Sequence, residues 1–507
     1  MTDPGAQMRL DALKREADRH MIEPLRNHGW EVSIEQATPG SDLMVLSASR
    51  AGSVRHLALI YSSATDNKVY RSLAERVDQI YFQGQPYHLE QFARGIEPQP
   101  KSLAEFGADL LTWNRETSPG KFSPVDDKDA HASSRRPDYI RLLSENPIDA
   151  IWLRLRQLQS RTLAEKLVRY RAQRVDVALD ESAMKAKAEG IAFALRNAGD
   201  YFSVADKKNI SQRVLNLYYG AMAFASAEML AAPRGASALS EIERSTVQGH
   251  GLHTVPGQDG SLGAIAVTPF GQGFFPEWLK VVGIRAPAYP EKRPKKVEDL
   301  AHLDESAKIT IEELFGSIPE LSDLFIDIFE SAPRTALLIH DSEANPGLGG
   351  MGTPSRDRTY GNVVDASARM TKEDVARFLG PISEIQAVES RYSGRVFRIG
   401  VDHPGLRSWW DALEAHDSPL TKRSLIRPIF GNIVKFRMIC VVLLYALSIV
   451  VRYRPSLWRR VQEGDLDQFR VLIEAFLGVV ERVLPEEFLA KITAQQVLAN
   501  QPGSLFG

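Results

Sequence analysis

Between Met438 and Val451 the chain runs for 14 residues, MICVVLLYALSIVV, without a charge. Crossing a bilayer takes about 20 apolar residues. A shorter helix that is apolar all round is normally buried inside a large domain. The run is therefore expected to be a central helix around which a C-terminal domain packs. A short membrane-inserted hairpin is the competing reading, and length argues against it. Pro455 cannot continue a helix interior, so the helix should stop near Arg454.

A chain of 507 residues holds two or three domains. Its net charge of −2 provides no global field toward nucleic acid or anionic lipid, so such binding needs local patches. Cys440, inside the apolar run, is the only cysteine, which excludes an intramolecular disulfide and a cysteine-cluster metal site. The first residues hold no apolar signal core, so a cytoplasmic protein without a membrane partner is expected.

Residues 1–115 read as a small α/β module. Leu10, Leu13, Ala17, Met21 and Leu25 recur at helical spacing, and Gly29 is placed to stop that helix. Strand-like runs follow at Trp30–Glu35, Leu43–Ala48 and His56–Tyr61, and Val69–Phe82 reads as a second helix. This order resembles the core of the restriction-endonuclease-like (PD-(D/E)XK) nucleases. In those enzymes an Asp opens the second strand and a Glu-x-Lys lies on the third, and together they serve a divalent cation that activates water. Asp42 stands where the family Asp would be, but the third strand has neither Glu nor Lys. Lys68, just beyond it, is the stand-in. The resemblance implies a degenerate module that binds a nucleic-acid end or a partner without cutting. A divalent metal is implied only if the module is active, and no other cofactor is expected. Asp42 also reads as a turn residue before a strand.

Residues 116–144 are read as a flexible linker, since the Ser, Pro, Asp and Lys of Glu116–Asp138 cannot bury enough surface to offset ordering. From 145 to 507 a larger domain is expected, helical over 145–232, mixed over 235–405 and helical again over 406–498. The fold class is thus α+β and predominantly helical. Early in this domain Arg154, Arg156, Arg161, Arg169, Arg171 and Arg174 lie between apolar positions at helical spacing. Such a face suits phosphate contacts, or it is solvated, or it pairs with acidic residues elsewhere. Helices are also expected over Ala183–Phe202, Asn209–Leu230, Ser424–Arg452 and Leu466–Val483, with Pro485 breaking the last. Thr310-Ile-Glu-Glu313 is a capping box, and Thr335–His340 and Arg395–Val401 read as strands.

Tyr218-Tyr219-Gly220, His250-Gly251, Gly273-Phe274, Ile318–Phe325 (IPELSDLF) and Leu447–Trp458 (LSIVVRYRPSLW) occur in the order of the YaaC-like family. The resemblance runs from about Asn146 to the end. It implies a fold and no established reaction. Combined with a nuclease-like module it would suit a bacterial defence or stress-response protein, whose partners would be nucleic acid or the product of a neighbouring gene.

Candidate sites are sparse. His250, flanked by glycines, is placed to approach a ligand and titrates near neutrality, or it is a hydrogen-bonded loop residue. Arg452, at the end of the apolar helix, complements the helix dipole or lines an anion pocket with His250. Arg334…His340 and Arg398…His403 fit the loose Arg/His spacing of the helical HEPN ribonucleases, though both pairs fall in strand-like sequence. Gly347–Gly352 fits G-x-G-x-x-G but has no suitable helix start after it. Three functions stay open: a non-cutting nucleic-acid-linked protein, a nuclease using a metal or an Arg/His pair, and a protein-interaction scaffold.

Overall fold

The computed structural model describes residues 4–37, 40–61, 65–84, 88–116, 139–204, 209–257, 260–285, 287–341, 357–389, 394–404, 409–421 and 423–500. Most of the expected linker and the whole Gly347–Gly352 motif lie outside them. The chain divides into two compact units, Met1–Ser134 and Arg135–Gly507.

The first unit is a five-stranded sheet with helices on both faces. Helix α1 (Pro4–Ala17) continues through one wide turn and a short helix to Asn27, and Gly29 takes a left-handed φ of 78° that turns the chain into the sheet. Strands β1 (Glu31–Ala37), β2 (Leu43–Arg50) and β3 (Ser53–Ile60) pair antiparallel as a meander. Helix α2 (Asn67–Ala74), capped by the Asp66 side chain, leads to β4 (Gln79–Phe82), which lies parallel to β3. The short β5 (Lys101–Ser102) lies parallel to β4. Alternation along the strands separates two cores. Met44, Leu46, Leu57, Leu59 and Tyr81 meet α1 and α3 (Phe106–Glu116), while Val45, Ala58, Ile60, Ile80 and Phe82 meet the α2 side. The single helix expected over Val69–Phe82 is therefore half helix and half strand. All four β4 residues are buried, and its unbroken Ile80-Tyr81-Phe82 is an apolar run that periodicity cannot tell from a buried helix.

The second unit is a helical body with three small sheets. Strand β6 (Tyr139–Leu143) leads into α4 (Pro147–Gln157), α5 (Arg161–Arg174), α6 (Glu181–Val204) and α7 (Ile210–Ala231), the last capped by Asn209. A three-stranded sheet of β7 (Leu252–Val255), β8 (Ala266–Pro269) and β9 (Ile309–Thr310) follows, with α8 (Phe274–Val281) after β8. Thr310 and Glu313 form the expected capping box. An antiparallel sheet, ordered β12-β13-β11-β10-β14, comprises β10 (Thr335–His340), β11 (Arg358–Asp365), β12 (Ile382–Val388), β13 (Arg395–Asp402) and β14 (Ser424–Ile426), and carries its own small core.

Helix α9 (Phe436–Tyr453) lies at the centre of the body. Every residue from Phe436 to Ser448 is buried, and α7, α10 (Pro455–Glu463), α11 (Asp467–Thr493) and β7 pack around it. Burial of each Leu, Ile or Val contributes roughly 1.5–3 kcal/mol of transfer free energy, so this helix anchors the unit. By length and composition it is able to cross a membrane, and 78% of it is covered by the unit's own residues. It is shorter than the Ser424–Arg452 helix expected. Pro428 removes a backbone donor, and Phe430 and Gly431 take φ of 47° and 84°, so the chain forms β14 and a tight bridge before entering α9. Conversely, α11 runs through Pro485 unbroken, because that proline is buried among helices that hold the helix together. After α11 the chain forms β15 (Gln496–Asn500), parallel to β6, which ties the end of the unit to its beginning.

Candidate functional site

Asp42 precedes β2 with a left-handed φ of 50°, and its Oδ1 accepts a 3.0 Å bond from Arg9 Nε. Its carbonyl accepts from Tyr61 N–H, and the register places Ile60 beside Leu43 and Ala58 beside Val45. The strand that would supply Glu and Lys is thus apolar next to Asp42. Lys68 is exposed in the first turn of α2. Among the described residues no group of three His, Cys, Asp or Glu is placed to hold a metal.

The basic helices divide their arginines between several tasks. Arg161 pairs with Glu189 and Arg169 with Glu165, each at 3.0 Å, and Arg154 donates to Gln157. Arg171 turns toward α11, where its Nη1 donates to the carbonyls of Lys491 and Ile492, and Arg174 donates to that of Ala494. These two satisfy the free carbonyls of a helix end and complement its dipole. Arg156 stays exposed.

Arg334 and His340 lie at opposite ends of β10. Six residues of extended chain separate them by about 20 Å, and Arg334 is engaged by Glu313 at 2.8 Å and by the carbonyl of Pro428. Arg398 bonds Asp341 at 2.6 Å, and His403 is bound to Thr359 Oγ1. Neither pair converges on one point.

His250 and Arg452 are brought together through Tyr218 and Tyr219, with Gly251, Gly273 and Phe274 beside His250. Helix α7 presents Tyr218 and Tyr219, and α9 presents Tyr445, Ser448 and Arg452. Tyr218 Oη lies 2.9 Å from His250 Nδ1, and the His250 ring packs against Tyr445 at 5.7 Å. Burial raises the Tyr218 pKa well above its ordinary value, so the phenol keeps its proton. Burial, then the Arg452 charge, lowers the His250 pKa. The Tyr218–His250 bond runs in either direction according to the imidazole tautomer, and Nε2 bonds to no described residue. Arg452 donates to the Ser448 carbonyl and hydroxyl and, at 3.2 Å, to Tyr219 Oη, so its charge closes the last turn of α9.

Glycines set the His250 loop. Phe274 and Phe275 N–H groups donate to the carbonyls of Gly249 and His250. A Cβ on Gly273, whose φ is 108°, would lie 2.5 Å from Gly249 O, and one on Gly251 would overlap Pro276 Cδ. Gly273→Ala should therefore destabilise the unit by on the order of 1–3 kcal/mol through backbone strain, with more from the overlap. It should also displace His250, read as a lowered melting temperature and a shifted His250 resonance. An unchanged melting temperature would show that the loop is not held this way.

A second polar centre was not anticipated from sequence. Glu228 of α7 and Arg437 of α9 form a two-pronged pair at 3.0 and 2.7 Å, and Trp278 Nε1 donates to the same carboxylate. Glu487 of α11 accepts from the Arg437 N–H at 3.2 Å. His416 sits between Glu320 and Glu487 at 3.0 and 3.3 Å and stacks on Phe436. Burial alone would lower the His416 pKa; its hydrogen bonds to Glu320 and Glu487 outweigh that and raise it to about 9. Its sequence signals were Glu320 within the family-resembling Ile318–Phe325 stretch, a lone charge in a small-residue helix, Glu228, and another at the head of the apolar run, Arg437.

The architecture is thus a small α/β unit followed by a mainly helical α+β body with two buried polar centres. A family model described as YaaC-like Protein matches residues 156–492, and the chain belongs to that family. No curated protein and no solved structure matches the chain.

Proposed function

We propose that this YaaC-like protein is a nucleic-acid-binding protein of the defence or stress-response kind, whose N-terminal unit uses a nuclease-like frame to hold nucleic acid without cutting it. One observation carries the reading. The unit runs helix, three antiparallel strands, helix and a strand parallel to the third, with Asp42 at the head of the second strand. This order resembles that of the nuclease core, and apolar side chains lie beside Asp42 where the nucleases carry their Glu and Lys. On the helical body, the exposed Arg156, Arg161 and Arg169 and the partly exposed Arg154 offer phosphate contacts of that unit's own.

The test is fluorescence anisotropy of labelled blunt duplex and single strands between 50 and 200 mM salt. Affinity should fall with a log–log slope near −0.9 per phosphate contacted on duplex. Arg156→Glu with Arg161→Glu should flatten that slope by about two contacts. The same substrates should remain intact after long incubation with Mg²⁺ or Mn²⁺. Absence of binding at 50 mM salt overturns the reading, and cleavage lost in Asp42→Ala overturns its non-cutting part.

A further inference from the structure

A cavity of ≈ 1090 Å³ opens between α5, α7, α9, α11, the 410–419 segment and Arg423, with the Glu228–Arg437 and His416–Glu487 groups in its wall. Its size is that of a site for a nucleotide-sized molecule. The charges on its wall are not evenly matched. Glu228 is held by Arg437 and Trp278, and Glu487 by His416. Glu486 pairs with Arg482, Glu414 with Lys435 and Asp417 with Arg423. Asp411 is exposed.

The cations keep donors to spare. Arg437 is only 4% exposed, and its guanidinium spends Nε and Nη2 on Glu228. Its Nη1 bonds to no described residue. The Lys491 ammonium has no hydrogen bond or ion pair to a described residue. Arg171, whose Nη1 holds the Lys491 carbonyl, leaves Nε and Nη2 without a described partner. Lys491 keeps an exposed surface, yet desolvation by the surrounding protein and then the Arg437 charge lower its pKa against the pull of Glu487, so an anion placed between Lys491 and Arg437 would relieve their repulsion.

We propose that this cavity binds a small molecule bearing an oxyanion, a phosphate or a carboxylate, with Arg437 Nη1, Lys491 Nζ and Arg171 as its cationic contacts. The proposal is independent of nucleic-acid binding by the other unit. A duplex is too wide to enter the cavity, and the competing carboxylates already have partners.

The experiment titrates full-length protein with inorganic phosphate and, separately, with citrate. Ionic strength is held constant with sodium chloride, and binding is followed by melting temperature and by calorimetry. At least one of the two anions should stabilise the protein saturably, and the tighter of them identifies the ligand's anionic group. Lys491→Gln should weaken that binding by about tenfold or more, as loss of a charge-assisted bond requires. Lys491 is solvent-accessible, so the variant should fold, checked by its melting temperature without anion. Lys185→Gln, on the exposed face of α6, should leave binding unchanged. No saturable stabilisation by either anion, or equal binding by the Lys491→Gln protein, overturns the assignment.

Discussion

Arg437→Met is expected to cost about 3–5 kcal/mol of stability, and Glu228→Gln combined with it to restore most of that loss. The expectation rests on what remains after each change. Both side chains are nearly dry, at 5% and 7% exposure. Removing the guanidinium leaves the Glu228 carboxylate inside the unit with only Trp278 as a donor. A buried charge stripped of its partner costs several kcal/mol, whereas the pair itself contributes little net stability because both ions had to leave water. Glu228→Gln removes the charge while keeping a carbonyl for Trp278, so the double variant buries no uncompensated ion. Glu228→Gln alone strands Arg437 instead and should also be destabilising. Calorimetry on the four proteins closes the cycle. In a domain larger than 150 residues each kcal/mol is worth about 2–4 °C or less in melting temperature. The single Arg437 variant should therefore melt about 5–15 °C low. If the double variant loses as much as the two singles added together, the pair is not coupled and the ion network is wrongly drawn.

The same residues show what sequence can and cannot disclose. The apolar run announced α9 because a helix wanted on every side by other helices has no polar face to hide. The capping box at Thr310 was legible because a cap is a local bond made within four residues. Strand β4 was missed because burial on both sides erases period-two alternation. The unbroken helix through Pro485 was missed because packing from neighbouring helices outweighs a local defect. His250 and Arg452 were found by their family order, and the structure joins them through Tyr218, Tyr219 and Ser448. Glu228, Arg437, His416 and Glu487 were not found. Glu228 and Arg437 alone lie 209 positions apart. Each member alone looks like an ordinary charged residue, and only the tertiary fold shows that they are dry and joined.

Stability should fall as pH rises above about 6.5, and His416 should be the cause. An unfolded histidine titrates near 6.5, while in the fold Glu320 and Glu487 hold the His416 proton to about 9. Between those values the folded chain binds a proton that the unfolded chain has released. The slope of unfolding free energy with pH is then negative, about 1.4 kcal/mol per pH unit for one group. This contribution is complete below 6.5 and is gone once pH passes 9, when two buried carboxylates face a neutral ring. Glu487, whose pKa is lowered because His416 and Arg437 outweigh its burial, adds the opposite limb and loses its share in acid. Lys187 runs against His416 at the alkaline end. Burial lowers its pKa to about 8, so its titration favours the fold as pH climbs from there toward the ordinary lysine range. The clean window is therefore pH 6.5 to 8, in which His416 should remove about 2 kcal/mol. His416→Gln should be less stable than the parent at pH 6 and should show a flatter profile across that window, with Lys187 contributing equally to both proteins. Parallel profiles for the two proteins would mean that His416 is not held protonated by its two carboxylates.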